Sequence, residues 1–244
     1  MPYIYLSPST QEGNMYVTGG SEEYYMNLIA DAMVPYLRSS GIQYLRNTPD
    51  MTAASSVRES NEGNYDLHLA LHSNASPEGQ YGQRRGAEVY YYPGSAEGHE
   101  AAEIIAANLR KIYPNPALVR ALPNTRLGEV RLTNAPSVFI EFAYHDNPED
   151  AMWIENNINE IAINVVQSLT QYFGIPFISA VPPRRGTVVL QSGNLNIRQF
   201  PNTGAPIIAT APNGANVMVL GQWKGWDVVR YNGVVGYADG RYIL

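Results

Sequence analysis

The stretch DLHLALHSNA, residues 66–75, most constrains what this chain can fold into. Apolar residues alternate with other residues through Leu67, Leu69 and Leu71, which predicts a buried strand. His72 therefore lies at the carboxyl end of that strand. In open α/β sheets this edge is where ligands bind, so a histidine there is a candidate metal ligand. The alternative is a structural histidine held by hydrogen bonds.

Strand patterns alternate with helix patterns over the first 178 residues. Strands are predicted at 3–6, 42–45, 66–71, 86–92 and 136–142, and helices at 22–38, 52–61, 95–112 and 151–173. Consecutive strands joined through helices form parallel pairs, because a helix carries the chain back across the sheet. The sequence therefore predicts an α/β three-layer sandwich with a mainly parallel sheet.

The composition of the chain changes after residue 178. Residues 179–186 are rich in proline and arginine and read as a linker, which separates a first domain, 1–178, from a last one, 187–244. The last domain has short β-type runs, beginning with VVLQ, that are separated by glycine, asparagine and proline. This pattern predicts a separate small all-β barrel.

Charge and composition exclude several classes of partner. Residues 1–178 hold 10 Lys and Arg against 20 Asp and Glu, and such an acidic body argues against nucleic acid. With no cysteine in the chain, a zinc ion would need His, Asp or Glu ligands. No run of 18 apolar residues and no secretory signal is visible, so we expect no membrane insertion and leave the export route open.

Three motifs in order resemble the zinc-dependent N-acetylmuramoyl-L-alanine amidases called Amidase_3. DLHLALHSNA is similar to the family's DLFISIHANA, EYYMNL to its EKDVNL, and PSVFIEFAYHDN to its PAVLVEIGFISN. The resemblance covers residues 3–175. It implies that Glu23 and His72 bind Zn²⁺ and that Glu141 is the catalytic acid/base. A structural carboxylate paired with Arg131 or another arginine is the alternative for Glu141.

One departure from the family leaves the metal set incomplete. The family's first metal histidine lies in a motif like IDPGHGG, and YLSPSTQEG puts Thr10 at that place. We rank His145 ahead of Gln11 as a replacement ligand. His68 lies roughly 13 Å from His72 along a strand, too far to share one metal, and is expected in the core.

The last 58 residues resemble bacterial SH3 (SH3b) domains. The segments LNIRQFP, KGWDVV and VVGYADGRYI are similar to that family's LNVRSGP, GW and GWV patterns. The resemblance implies a wall-binding module. A cap over the catalytic groove is the alternative.

Together these features predict a peptidoglycan hydrolase that cleaves the amide bond between N-acetylmuramic acid and L-alanine. One alternative is a catalytically silent wall-binding protein, which is favoured by Thr10 in place of the metal histidine. The other is a zinc peptidase acting on short wall peptides. The expected setting is the bacterial cell wall or the extracellular space, reached as an endolysin or as an exported autolysin. The peptidoglycan chemotype and the oligomeric state are not predicted.

Overall fold

Strand β3 (Leu67–Asn74) lies between strands β1 (Tyr3–Pro8) and β6 (Ser137–Tyr144) and runs parallel to both. The computed structural model, which describes residues 1–244, places β3 inside a six-stranded sheet. Its side chains are buried from Leu67 to Ser73, as expected for a central strand covered on both faces. The buried strand predicted from residues 66–71 is therefore present and extends further at its carboxyl end.

The chain divides into two compact units. One comprises Tyr3–Met33 and Tyr44–Tyr172, and the other comprises Phe173–Leu244 with Met1–Pro2 and Val34–Gln43. The first holds the strands just named together with β4 (Glu88–Tyr91), β5 (Arg120–Pro123) and all of β2 (Gln43–Arg46) except its first residue. The helices of the chain are α1 (Glu22–Ser40), which is divided between the two units at Met33, and α2 (Ala53–Glu62), α3 (Ala96–Leu109), α4 (Gly128–Arg131), α5 (Pro148–Asn156) and α6 (Ile158–Tyr172).

The strand order of this sheet is β2-β1-β3-β6-β4-β5. The pairs β1/β3, β3/β6 and β4/β5 are parallel, whereas β4 runs antiparallel to β6. The predicted α/β class with a mainly parallel sheet is thus confirmed. Because β1, β3 and β6 run in one direction, the residues that end them meet at the same edge.

Helix α1 packs one apolar face into the core of the protein. Met26, Ile29, Met33 and Leu37 recur at helical spacing and are fully buried. Two glutamates occupy the first turn, where carboxylates are stabilised by the positive end of the helix dipole.

Three elements differ from the sequence-based expectation. The single helix predicted over 151–173 is wrong, because Asn157 leaves the helical region at φ −124° and ψ 22° and separates α5 from α6. Its N–H bonds to the carbonyl of Ile154 and closes the first helix there. Strand β5 and the four-residue helix α4 were not predicted, since segments so short carry no periodic pattern.

The second unit contains a six-stranded sheet in the order β7-β10-β11-β12-β8-β9, with antiparallel pairing throughout. Its strands are β7 (Arg184–Thr187), β8 (Asn194–Arg198), β9 (Ile207–Pro212), β10 (Asn216–Trp223), β11 (Trp226–Tyr231) and β12 (Val234–Asp239). The predicted all-β domain is confirmed. Its first strand begins inside the segment predicted as a linker and ends at Thr187, before VVLQ, where Val188 makes one isolated bridge to Ile243. None of the helices in the protein combines the length and apolarity that a lipid bilayer requires.

Asp150 ties the end of β6 to the segment that precedes β4. Its buried carboxylate accepts hydrogen bonds from the backbone N–H groups of Gly86 (2.9 Å) and Tyr144 (3.1 Å). It also accepts from Arg85 Nε (3.1 Å) and from the Tyr113 hydroxyl (2.5 Å). Four donors therefore converge on one carboxylate.

We expect Asp150→Asn to lower the free energy of unfolding by about 1–3 kcal/mol. The asparagine amide has an NH₂ group in place of one carboxylate oxygen, so the donors that bond to that oxygen lose their acceptor. Chemical denaturation of the full chain measures this loss. Glu149→Gln is the matched control, since the Glu149 side chain is 68% exposed and contacts only Arg85. Equal losses in the two variants would contradict the structural role of Asp150.

Candidate functional site

The candidate site lies at the edge where β1, β3 and β6 end. Ser9 follows β1, His72 lies near the end of β3, and Glu141 pairs with His72 across the neighbouring strand β6. The first residue of α1, Glu22, reaches the same place. Parallel strands and one helix terminus thus bring together side chains from four separate parts of the sequence.

His72 is held between two carboxylates. Its Nδ1 lies 2.7 Å from Glu22 Oε1 and its Nε2 lies 3.2 Å from Glu129 Oε2, and all three side chains are buried. Ionised carboxylates only accept hydrogen bonds, so both ring nitrogens donate and the ring is cationic. Burial alone would lower the pKa of His72, but the hydrogen bonds to Glu129 and Glu22 outweigh it and raise the pKa to about 10.

Glu129 is fixed by further polar contacts. Its Oε1 accepts from Ser7 Oγ (2.5 Å) and lies 3.2 Å from Nε2 of His68. The other ring nitrogen of His68 lies 2.9 Å from Ser60 Oγ. Burial would raise the pKa of Glu129, but the hydrogen bonds with His68 and His72 hold that pKa well below its ordinary value. His68 is thus a buried residue on the far side of Glu129, away from any direct contact with His72.

The structure brings Glu22, and not the predicted Glu23, to His72. Glu22 also accepts from Asn14 Nδ2 (2.6 Å), and its pKa is lowered because the hydrogen bond with His72 outweighs the effect of burial. Glu23 instead accepts a hydrogen bond from Asn27 Nδ2 (3.2 Å), one helical turn further on. Successive helix positions point about 100° apart, so only one of two adjacent glutamates can face the site.

Glu141 presents an unpartnered oxygen. Its Oε2 is shut off from solvent without a hydrogen-bond partner, and no arginine pairs with it. Burial is the main reason that the pKa of Glu141 is raised to about 8, with the positive charge of His72 opposing and the negative charges of Glu22 and Glu88 adding to the shift. At neutral pH this carboxyl group is therefore mostly protonated.

Glu88, the first residue of β4, lies directly opposite Glu141 in the antiparallel pair. It accepts hydrogen bonds from Arg120 Nη2 (2.6 Å), from the Tyr90 hydroxyl (2.5 Å) and from Asn74 Nδ2 (3.1 Å). The Glu88 carboxylate is therefore fully engaged in hydrogen bonds, whereas Glu141 keeps one oxygen without a partner. Sequence reasoning missed Glu22, Glu88 and Glu129. Of these, only Glu22 could have been found, because it is one of two adjacent glutamates at the start of α1.

The two candidates for the third metal ligand lie in different surroundings. His145 Nδ1 lies 3.0 Å from the carbonyl oxygen of Ser73 and 3.1 Å from its hydroxyl, with no contact to His72. Gln11 Nε2 lies 3.4 Å from His72 Nδ1. Thr10 lines the same cavity of about 420 Å³ as Gln11 and His72. The structure thus brings Gln11, but not His145, to the candidate metal ligand.

The residues at the site do not fit the zinc ion that the resemblance implies. Catalytic zinc normally takes three protein ligands, but Glu22 and Glu129 meet different nitrogens of the His72 ring and so do not face one common point with it. No group of three or more His, Asp or Glu side chains in the chain is placed to hold a metal ion. In addition, both ring nitrogens of His72 are engaged by carboxylates.

Comparisons with known proteins agree with the architecture described above. Residues 8–171 match the model of the family described as N-acetylmuramoyl-L-alanine amidase, and residues 193–243 match that of the bacterial SH3 domain. No curated protein matches the chain in sequence.

Solved structures share the fold at low sequence identity. The amidase AmiC2 of Nostoc punctiforme superimposes with a TM-score of 0.62 at 18% identity, covering 71% of this chain and 97% of that one. CwlV, an amidase from Bacillus (Paenibacillus) polymyxa, gives 0.62 at 16% identity, with coverages of 72% and 100%. The catalytic domain of the CD27L endolysin, which targets Clostridia difficile, gives 0.57 at 23% identity, with coverages of 70% and 98%.

Proposed function

Because this chain belongs to the N-acetylmuramoyl-L-alanine amidase family, we propose that it hydrolyses peptidoglycan at the amide bond between N-acetylmuramic acid and L-alanine, with Glu141 as the acid/base. The family match over residues 8–171 supports the reaction. The observation that supports the role of Glu141 is its unpartnered carboxyl oxygen at the strand edge. The two alternatives, a silent wall-binding protein and a peptidase, are not favoured by the family or by the fold.

The chemistry requires a group that moves one proton. In hydrolysis the oxygen of water bonds to the carbonyl carbon, the carbon–nitrogen bond breaks, and the amine of L-alanine leaves with an added proton. A carboxyl group whose pKa lies near the working pH can accept a proton from water and deliver it to the leaving nitrogen. Glu141, with its pKa raised to about 8, has this property.

Zinc dependence stays a prediction from the resemblance, and the residues at the site argue against it. We further propose that peptidoglycan is the partner of the SH3-like domain and that the protein acts at the cell wall or outside the cell. The bacterial SH3 match over residues 193–243 supports both statements.

Incubation of the full chain with purified peptidoglycan tests the proposal. We expect new amino termini of L-alanine to appear in step with the release of stem peptides, while the number of reducing sugar ends stays constant. New reducing ends without free L-alanine would identify a glycosidase instead. A parallel incubation with wall peptides that lack the sugar separates the amidase from the peptidase, which alone would cut them.

A further inference from the structure

We propose that the pocket does not hold zinc, because Glu22 is the only conventional ligand that meets Nδ1 of His72 and Gln11 stands where a third ligand would have to reach. The part of this inference that concerns activity rests on the proposed amidase function.

Both ring nitrogens of His72 already face carboxylate oxygens. Nδ1 lies 2.7 Å from Glu22 and Nε2 lies 3.2 Å from Glu129. A zinc ion at Nδ1 would have to separate His72 from Glu22, the closer of the two carboxylates. The one conventional ligand beside it, Glu22, is also occupied by Asn14 at 2.6 Å.

The two buried carboxylates already have hydrogen-bonding partners. Buried carboxylates are costly unless they are paired with a cation and fully hydrogen-bonded. Here His72 lies between them, while Ser7 and His68 satisfy the outer oxygen of Glu129. Both oxygens of Glu129 are therefore engaged by protein groups.

Gln11 occupies the position from which a third donor could act. Its Nε2 lies 3.4 Å from His72 Nδ1, and the residue itself is exposed. A neutral amide is a poor ligand for zinc, in contrast to imidazole. A histidine at this position would complete a His, Glu, His set with Glu22 and His72, and the hydrogen bond of Nε2 to Glu129 would then leave Nδ1 for the metal.

Metal analysis and zinc titration of the full chain test the inference. We expect the wild-type protein to carry substoichiometric zinc and to show no saturable binding when titrated calorimetrically with ZnCl₂. Gln11→His should bind one zinc ion per chain at least ~100-fold more tightly than wild type, because it gains the third ligand. Glu12→His adds an exposed histidine beside the site and should not change zinc binding.

Thr10→His provides a second attempt at the third ligand if Gln11→His does not fold, and circular dichroism of each variant establishes folding. Stoichiometric zinc in the wild-type protein would overturn the inference. Failure of both folded histidine variants to gain zinc would overturn it as well, because the missing donor would then not be what keeps the metal out.

Activity separates this inference from the proposed function. Release of L-alanine termini by the wild-type protein should continue unchanged in excess EDTA. Loss of release in EDTA with recovery on added zinc would overturn the inference and leave the amidase function in place. Absence of hydrolysis under every metal condition would overturn the proposed function, while the zinc titration would still decide the inference.

Discussion

Glu141→Gln is expected to lower amidase activity by about 10²–10⁴-fold and, at the same time, to stabilise the protein at alkaline pH. The loss of activity follows because an amide cannot accept a proton from water or donate one to a leaving amine. The gain in stability follows because Glu141 must ionise in a place where its Oε2 has no partner. The variant removes that cost and keeps the shape of the side chain.

The direction of the pH dependence follows from the raised pKa of Glu141. The folded-state pKa is about 8 against an ordinary value of 4.5, so the folded protein binds more protons than the unfolded chain between these two pH values. The wild-type free energy of unfolding therefore falls as pH rises from 4.5 to 8 and then levels off. Glutamine does not titrate, so the advantage of the variant should be near zero at pH 5 and on the order of 1–3 kcal/mol at pH 9.

Urea unfolding of both proteins at pH 5 and pH 9 measures this difference. Glu12→Gln serves as the control, because Glu12 is exposed and its replacement should change neither activity nor the pH dependence of stability. A wild-type protein as stable as Glu141→Gln at pH 9 would show that the Glu141 carboxylate is solvated or paired in solution.

Glu129→Ala is expected to lower the free energy of unfolding by about 3–5 kcal/mol at pH 7. The substitution leaves the cationic ring of His72 with one carboxylate instead of two and removes the hydrogen-bond partner of His68, both in buried positions. Because the pKa of Glu129 is lowered from 4.5 and the pKa of His72 is raised from 6.5 to about 10, the stability that this pairing contributes is complete between about pH 4.5 and pH 6.5. It is lost as pH rises toward 10.

The measured deficit of Glu129→Ala should therefore shrink when unfolding is repeated near pH 10. Arg131→Ala, an exposed position on the same short helix, is the matched control and should change stability by no more than about 0.5 kcal/mol. A deficit that is equally large at pH 7 and pH 10 would mean that lost packing, and not the ion pair, accounts for the effect.

Sequence reasoning identified the central strands and two of the side chains at the site. His72 and Glu141 could be found because each interrupts or ends a continuous apolar run, and such runs predict buried strands without knowledge of the rest of the fold. The same reasoning chose Glu23 over Glu22, because a motif aligns residues in sequence while the start of a helix decides which residue faces inward.

Glu129 could not be predicted in the same way. It lies on a four-residue helix, 57 positions from His72, and no periodic pattern marks it. Its role follows only from the three-dimensional meeting of α4 with the edge of β3. The sequence likewise showed a missing histidine at the start of the chain, but not that the remaining histidine is paired on both sides.

The reversed direction of β4 decides which loops can remodel the pocket during evolution. A strand parallel to β6 would deliver its final residue, and the loop after it, to the catalytic edge. Because β4 runs the other way, its first residue Glu88 arrives there instead, and so does the first residue of its parallel neighbour β5, Arg120. Insertions before these two strands, in segments 75–87 and 110–119, would reshape substrate selection, whereas insertions directly after β4 would leave it unchanged.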